Sequence, residues 1–408
     1  MTGMILALGS GTATPSNSAQ TFCNFQSSAA NNWTADEAIL KQPAPIGFTI
    51  TSFDVKATSA SGAAKNFTFA VRVNGVDSAM TVLVENTTAV VSNTTPLAIN
   101  QGDLLSIGCT PSGTPTTSIH TISFKYDSGA GNGQPVFGGT NNVMSQSVTN
   151  YSTWQGTGSI NSTETNRREI FPTAGTVRNM FVNCSAAPGA TTEEFVVTTM
   201  LGGSGQTLAC TVTGTATTDS DTSNSFAVVA TNVISVEMNP NNTPAAVVIT
   251  WGYEFLPTTA GETVHMFGGT NAPSASASNF QLFTGTIGWN GTEGNRKNIG
   301  YTGYSMKNLY VLVGTAPGAA ASGKQYTISV NEATVATALS VVLFEVETTD
   351  SNTGTTISLT DGNLINWGSV PLNTPNGAGT MALSVVSTTA QASETLSRIS
   401  TLPFLGAG

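Results

Sequence analysis

The sequence predicts an all-β protein built of three tandem jelly-roll-like antiparallel β-sandwich modules. Three observations lead to this prediction. Blocks of sequence recur at a spacing of about 130 residues, and apolar side chains alternate with polar ones at a period of two. Gly, Pro, Asn and Asp, which form turns, separate the short apolar runs. With 408 residues, the chain has room for several domains of ordinary size.

The repeat is clearest between the second and third modules. Four blocks recur in the same order: FGGTN (137–141 and 267–271), NSTETNRR and NGTEGNRK (161–168 and 290–297), VRNMFV and MKNLYV (177–182 and 306–311), and APGA (187–190 and 316–319). The last two pairs are both 129 positions apart. Chance does not explain this agreement, so the two modules are close copies.

The first module is more diverged but follows the same plan. Residues 50–55 correspond to the strand that begins at 177, and residues 60–62 to the APG turn. A loop with Pro at both ends is shared by all three modules, at 111–115, 240–244 and 371–375. We therefore place the modules at 1–130, 131–259 and 260–390, and a C-terminal arm at 391–408.

Within a module the apolar pattern is that of β-strands. Residues 67–73 (FTFAVRV) alternate large apolar with smaller or polar side chains, as a half-buried strand does. Asn74-Gly75 follows, and a second apolar run begins at Met80. Asn-Gly between two such runs favours a tight hairpin, because both residues tolerate positive φ. The run Gly202-Gly203-Ser204-Gly205 is also interpreted as a hairpin loop, since no Lys follows it as phosphate binding requires.

Helices have little place in this prediction. The segment from Ala35 to Lys41 is the one candidate for an amphipathic helix, and Pro43 and Pro45 would end it. A module of about eight short strands with no helix to cover a sheet face must pack sheet on sheet. A jelly roll is the most economical topology. An immunoglobulin-like sandwich stays open as the alternative, because strand count alone does not separate the two.

Composition argues against nucleic acid and membrane as partners. Charged residues are 9 % of the chain and the net charge is −10, whereas nucleic-acid binding needs a basic patch. The one basic cluster, Arg167-Arg168, adjoins Glu169. The most apolar window, residues 335–346, is too short to span a bilayer. The N-terminus lacks the basic residues of a secretory signal, so we expect synthesis in the cytoplasm.

No constellation of catalytic, cofactor-binding or metal-binding residues is found, and we predict none. His120 and His265 have no counterparts in the other modules and are interpreted as surface or core-edge side chains. The cysteines show no metal-ligand spacing and are expected to be buried thiols: Cys23, Cys109, Cys184 and Cys210. A Cys184–Cys210 disulfide stays open if their strands are neighbours.

The acidic residues have plain structural interpretations. Glu164 and Glu293 occupy matching positions two residues before an Asn-Arg pair. An ion pair that braces a loop is therefore preferred over the paired carboxylates of a glycosidase. Two further acidic groups, Glu193-Glu194 and Asp219/Asp221, supply too few oxygens for a calcium site and are interpreted as turn residues.

The tryptophans can serve as core residues or as platforms that stack on sugars: Trp33, Trp154, Trp251, Trp289 and Trp367. Packing in the core or between modules is the preferred interpretation. Trp154 and Trp289 are the candidates for contact with a glycan if the chain binds one.

The later part of each module resembles the jelly-roll modules, broadly similar to tumour necrosis factor, of virion proteins in tailed bacteriophages. Residues 71–75 (VRVNG) and 101–106 (QGDLLS) carry this resemblance most clearly. Such modules occur in capsid decoration (cement) proteins, head fibres and tail fibres, and they commonly act as trimers. This chain departs from that pattern because it carries three copies, which implies a pseudo-trimer.

The leading hypothesis is a non-enzymatic viral structural protein, a capsid decoration protein on the virion surface. It implies the major capsid protein or other virion proteins as partners, and a homo-oligomer stays open. The alternative is a phage fibre or receptor-binding protein that recognises host surface glycans. An enzyme, chiefly a polysaccharide hydrolase, is the third hypothesis, and the missing constellation argues against it.

Overall fold

The structure is a computed structural model that describes residues 1–9, 13–27, 33–140, 142–269, 272–284, 288–301 and 303–389. The predicted C-terminal arm at 391–408 lies outside these residues, as do Asn141, Thr270 and Asn271 at the ends of the two FGGTN blocks. Nearly all regular structure in the described part is β-strand.

The strands fall into three consecutive groups, which we name sandwich 1 (residues 2–127), sandwich 2 (134–257) and sandwich 3 (262–389). Sandwich 1 contains β1 (Thr2–Leu8), β2 (Thr21–Asn24), β3 (Gln42–Pro43), β4 (Phe48–Ala57), β5 (Asn66–Val73), β6 (Val76–Glu85), β7 (Val90–Asn93), β8 (Leu97–Ile99), β9 (Leu104–Ser112) and β10 (His120–Asp127).

Sandwich 2 contains β11 (Gln134–Thr140), β12 (Asn150–Ser152), β13 (Gly156–Gly158), β14 (Glu169–Ile170), β15 (Gly175–Cys184), β16 (Glu194–Leu201), β17 (Ser204–Thr213), β18 (Thr218–Val228), β19 (Val233–Asn241) and β20 (Ile249–Pro257). Sandwich 3 contains β21 (Glu262–Gly269), β22 (Asn279–Gln281), β23 (Asn298–Ile299), β24 (Tyr304–Val313), β25 (Gln325–Glu332), β26 (Val335–Phe344), β27 (Thr349–Ser358), β28 (Leu364–Leu372) and β29 (Met381–Thr389). Two short 3-10 helices, Glu164–Arg167 and Glu293–Asn295, precede β14 and β23.

Each sandwich is made of two sheets with the same strand order. The sheets are β1-β10-β4-β7 with β2-β9-β5-β6, then β11-β20-β15-β18 with β12-β19-β16-β17, then β21-β29-β24-β27 with β22-β28-β25-β26. If the eight main strands of a sandwich are numbered along the chain, these orders are 1-8-3-6 and 2-7-4-5, which is the jelly-roll arrangement. The prediction of antiparallel, sandwich-like all-β structure is confirmed. The module boundaries at 130, 259 and 390 stay a prediction.

The hairpin between the fourth and fifth main strands has the residues and the φ values that a tight turn requires. Val73 pairs with Val76 across Asn74-Gly75, whose φ values are 53° and 82°. Both values are positive, as a type I′ turn requires. Gly202-Gly203 closes the same hairpin in sandwich 2, so both predicted hairpin loops are confirmed.

The candidate helix from Ala35 to Lys41 does not form. The segment forms turns, in which Asp36 Oδ1 accepts a hydrogen bond from the Ala38 amide and Glu37 O accepts one from the Leu40 amide. The Glu37 side chain is turned toward the sheet, where Arg72 and Ser106 donate hydrogen bonds to it. These contacts of Asp36 and Glu37 compete with the regular hydrogen bonds of a helix.

Three hydrophobic cores lie between the sheet pairs, and each also contains side chains of another sandwich. Phe137 of β11 lies in the core of sandwich 1, and Val264 and Met266 of β21 lie in the core of sandwich 2. Met4 and Leu6 of β1 lie in the core of sandwich 3. Because side chains alternate across a strand, the first strand of each sandwich contributes to its own core and to a neighbouring one.

The sandwiches close into a ring. The short strand β3 contacts β11, β15 and β20 of sandwich 2, and its counterpart β14 contacts β21, β24 and β29 of sandwich 3. The third counterpart, β23, contacts β1 and β10 of sandwich 1. Each sandwich therefore presents the same strand to the next one, as in a closed ring of head-to-tail contacts. We name the three contacts seam 1–2, seam 2–3 and seam 3–1.

The two FGGTN blocks are offset by one residue in the structure. Phe137 pairs with Gly252 and points into the core of sandwich 1, whereas Met266 occupies the equivalent place in β21 and pairs with Ser384. Phe267 therefore points into the core of its own sandwich. A shift of one residue moves a side chain to the opposite face of a strand, so identical blocks have different packing.

Candidate assembly surfaces

At seam 1–2, two buried glutamines form a hydrogen-bonded pair. Gln42 Oε1 accepts a hydrogen bond from the Gln26 amide at 2.7 Å, and Gln42 Nε2 donates to Gln26 O at 3.0 Å. Gln42 Nε2 also lies 3.1 Å from Gly138 O, and Gln26 Oε1 accepts from the Phe137 amide at 3.2 Å. The last two bonds cross to sandwich 2, so the amide groups join the two sandwiches.

At seam 2–3, a carboxylic acid occupies the place of Gln42. Glu169 is fully buried, and its Oε2 accepts a hydrogen bond from the Gln155 amide at 2.8 Å. Its Oε1 has no hydrogen-bond partner within the part of the chain that the structure describes. Burial raises the pKa of this carboxyl well above its ordinary value, because the ionised form loses its hydration. Gln155 itself bonds across the seam, to Val264 O and the Met266 amide.

At seam 3–1, Asn298 stands in this place, and its Oδ1 accepts a hydrogen bond from the Phe283 amide at 3.3 Å. A second contact is unique to this seam among the described residues. Tyr301 donates to Asp54 Oδ2 at 2.7 Å, and Lys125 Nζ lies 4.5 Å from the centre of the Tyr301 ring. The three seams thus share a backbone arrangement but use different side chains.

Glu164 and Glu293 brace the segments that lead into the seam strands. Ser235 donates to Glu164 Oε1 at 2.7 Å and Arg168 pairs with Oε2 at 2.6 Å. Glu293 accepts from Asn366 Nδ2 at 3.2 Å, with Lys297 Nζ at 3.9 Å. The predicted loop-bracing ion pair is therefore present, but it is formed by the residue after the Asn-Arg pair.

Two features of these segments were not predicted. Glu37 is the counterpart of Glu164 in sandwich 1, where it binds Arg72 Nε at 2.9 Å and Ser106 Oγ at 2.6 Å. Arg167 donates to Ser159 O at 2.6 Å instead of pairing with a carboxylate, and Arg296 does the same to Gly288 O at 2.9 Å. Burial lowers the pKa of both guanidinium groups to about 10.

Two open clefts lie at equivalent places along the seams. The cleft at seam 2–3 has a volume of about 590 Å³ and is lined by Asn166, Arg168, Thr315 and Thr380, among others. The cleft at seam 3–1 has a volume of about 340 Å³, and Lys56, Lys297 and Thr121 are part of its lining. Each combines hydroxyl groups with a basic side chain.

The acidic groups considered for calcium serve turns and strand edges. Asp219 Oδ2 accepts from the Thr211 amide at 2.6 Å, and Asp221 accepts from the amides of Ser223 and Asn224. Three consecutive amides, of residues 190 to 192, donate to Glu193 and lower its pKa. Among the described residues, no group of three or more His, Cys, Asp or Glu side chains is placed to hold a metal ion.

Both histidines are buried. The His120 ring lies between Phe67 and Phe69 at centroid distances of 4.9 and 4.7 Å, and His265 Nε2 lies 2.8 Å from Ser387 Oγ. Burial lowers the pKa of each imidazole to about 3, so both are neutral at pH 7. All four cysteines are buried free thiols.

The tryptophans pack into cores. Trp154, Trp251 and Trp367 are fully buried, so none offers a face to a sugar. Trp33 and Trp289 are partly buried at the edges of cores 1 and 3, and Trp289 packs edge-on to Phe267 at 6.3 Å. Of the two residues considered for glycan contact, Trp289 alone keeps some exposure.

The outer faces of the three five-stranded sheets that contain β6, β17 and β26 differ in chemistry. In sandwich 3, four exposed apolar side chains lie in two adjacent cross-strand rows, on either side of Gln325 and Thr327: Val342 (40 % exposed), Phe344 (42 %), Val370 (51 %) and Leu372 (51 %). The same four positions hold Leu83, Glu85, Thr110 and Ser112 in sandwich 1, and Thr211, Thr213, Asn239 and Asn241 in sandwich 2. We name the four apolar residues of sandwich 3 the apolar face.

No helix in the described part of the chain is long and apolar enough to cross a membrane.

Comparison with known proteins gives little. No family model and no curated protein matches the chain. Among solved structures, a chain described under "Life in the extremes: atomic structure of Sulfolobus Turreted Icosahedral Virus" is similar with a TM-score of 0.17 and 10 % identity. That similarity covers 84 % of this chain and 79 % of the other. A TM-score this low carries no argument about fold or function.

Proposed function

We propose that the chain is a non-enzymatic structural protein of a virion, and specifically a decoration protein on the outer surface of a capsid. The closed ring of three jelly-roll sandwiches is the observation that carries the proposal. Its three head-to-tail seams give one chain the outline of a trimer, which fits a threefold or local threefold position of a shell. The resemblance of residues 71–75 and 101–106 to modules of bacteriophage virion proteins supports the same role.

The side chains favour a structural role in an assembly over a catalytic role. The buried polar groups described above are engaged in the seams and turns, and the two histidines are neutral and enclosed in protein. The low content of charged residues, 9 %, suits extended contacts with a major capsid protein, because little charge has to be desolvated. In this proposal the chain is made in the host cytoplasm and joins the particle there.

Electron microscopy of virus particles purified from cells that produce the chain tests the proposal. We expect ring-shaped density with three lobes on the capsid surface. Density confined to the tail, or particles that contain no copy of the chain, would contradict it.

A second candidate function is recognition of host surface glycans, as in a fibre or receptor-binding protein. The seam clefts favour it, because hydroxyl, amide and basic groups are the groups that bind sugars. A glycan array probed with the chain tests this function. Binding that is lost in Asn166→Ala would support it, and an array without signal would contradict it.

A further inference from the structure

The apolar face of sandwich 3 is an exception among three equivalent surfaces. The four positions are matched by strand pairing, so the backbone under them is the same in each sandwich. Sandwich 2 has hydroxyl and amide groups at all four, and sandwich 1 has one apolar residue, Leu83. The jelly roll therefore does not require apolar side chains here. Exposed apolar clusters on a folded protein commonly mark an interaction site.

The size of the face restricts its partner. With side-chain areas of about 150–200 Å² each, the four residues expose roughly 300 Å² of apolar surface. A stable interface between two globular proteins buries about 800 Å² on each partner. The apolar face is too small for such an interface. It fits a short extended segment that inserts a few side chains.

The chain itself contains a segment of this chemistry. Residues 402–405 are Leu-Pro-Phe-Leu, and no residue from Ile399 to Gly408 is charged. Pro403 restricts the residue before it to extended conformations. In an extended segment, Leu402 and Phe404 point to the same side about 6.7 Å apart, which is also the spacing of Val342 and Phe344 along β26. Gln325 and Thr327 between the apolar residues are uncharged as well.

The position of β29 indicates that the segment comes from another copy. Thr389 pairs with Tyr304, at the start of β24, whereas the apolar face lies beside Gln325, just after the loop that follows the end of β24. A path along one strand of ten residues and across the sandwich is about 43 Å long, or about 13 extended residues. Residues 390–402 are 13 residues, so the chain's own arm brings Leu402 to the face only if every one of them is fully extended, whereas an arm from a second copy carries no such constraint.

We propose that the apolar face of sandwich 3 binds residues 402–405 of a second copy of the chain. The contact links chains head to tail through a C-terminal arm. It does not depend on the virion role proposed above.

Complementation between two full-length variants tests the proposal. The face variant carries Val342→Thr and Phe344→Thr, which reproduce the residues Thr211 and Thr213 that the same strand of sandwich 2 accepts. The arm variant carries Leu402→Ser and Phe404→Ser. The matched control is Leu83→Thr, at the position of Val342 in sandwich 1.

Sedimentation velocity over a range of concentrations measures the association. We expect the wild type and the control to self-associate, and each variant alone to associate at least about 10-fold more weakly. Mixing the two variants restores association, because one supplies an intact arm and the other an intact face. Three results would overturn the proposal: a wild type that stays monomeric at millimolar concentration, a variant that associates like the wild type, or a mixture that does not associate.

Discussion

Replacing Glu169 with Gln is expected to stabilise seam 2–3. Gln42 occupies the same place at seam 1–2, where its Nε2 donates to two carbonyl oxygens, Gln26 O and Gly138 O. The Glu169 Oε1 atom that corresponds to this nitrogen has no hydrogen-bond partner among the described residues. The Glu169→Gln variant supplies the missing donor beside the equivalent carbonyls of Gln155 and Phe267.

The magnitude has two parts. Each hydrogen bond gained contributes about 1 kcal/mol. The second part depends on pH, because burial raises the pKa of Glu169 above the unfolded value of 4.5. An acid with a raised pKa binds its proton more tightly in the folded state. The free energy of unfolding of the wild type is therefore highest below pH 4.5. Above pH 4.5 it falls by about 1.4 kcal/mol per pH unit until the pKa of the folded state is reached. Gln does not titrate and avoids this loss.

Urea unfolding of both proteins at pH values from 4.5 to 8 measures the effect. We expect the variant to be more stable by about 1 kcal/mol at pH 4.5, with the difference growing as pH rises above 4.5. Gln42→Glu is the reciprocal control and should introduce the same pH-dependent loss at seam 1–2. Parallel pH profiles for wild type and Glu169→Gln would refute the reasoning.

Three further changes have expected outcomes. Ala333 and Thr334, with φ of 49° and 71°, occupy the type I′ turn that Asn74-Gly75 forms in sandwich 1. Changing them to Asn-Gly should raise the free energy of unfolding by about 1–2 kcal/mol, and an unchanged thermal midpoint would count against the argument. Gly252→Ala places a Cβ about 2.0 Å from Pro43 O at seam 1–2 and should destabilise by about 1–3 kcal/mol, whereas Gly354→Ala, with open space around it, should be neutral in the same thermal scan. His120→Phe should reduce the loss of stability in acid. Because the pKa of His120 is lowered to about 3, the free energy of unfolding of the wild type falls by about 1.4 kcal/mol per pH unit between pH 6.5 and pH 3. Equal midpoints of acid unfolding for the wild type and the variant would contradict this.

Local chemistry made the strands and hairpins predictable from the sequence. Asn74-Gly75 between two alternating runs leaves the backbone few alternatives, and the structure has the expected turn. The segment from Ala35 to Lys41 shows where local reasoning fails. Its helical appearance comes from Ala and Leu, while the contacts of Glu37 with Arg72 and Ser106, distant in sequence, decide its conformation.

The seams were beyond sequence reasoning for a different reason. Gln42, Glu169 and Asn298 share a place in the ring but not a residue type, so no repeated pattern marks them. Even identical blocks mislead, since Phe137 and Phe267 point into cores on opposite sides of their strands. Glu37 had one signal, because it precedes Lys41-Gln42 as Glu164 precedes Arg168-Glu169. Recognising it requires an alignment that the diverged first module obscures.

The exchange of side chains between cores also imposes an order on biosynthesis. Phe137 follows sandwich 1 almost at once as the chain leaves the ribosome, and Val264 follows sandwich 2 just as closely. Met4 and Leu6, in contrast, emerge before the rest of the three sandwiches, although they belong to the core of sandwich 3, whose own strands are translated after those of sandwiches 1 and 2. They stay without their native surroundings while nearly four hundred residues are made, and a nascent chain with exposed apolar side chains is prone to aggregate. The slowest and most chaperone-dependent step in producing this protein is therefore expected to be the closing of seam 3–1.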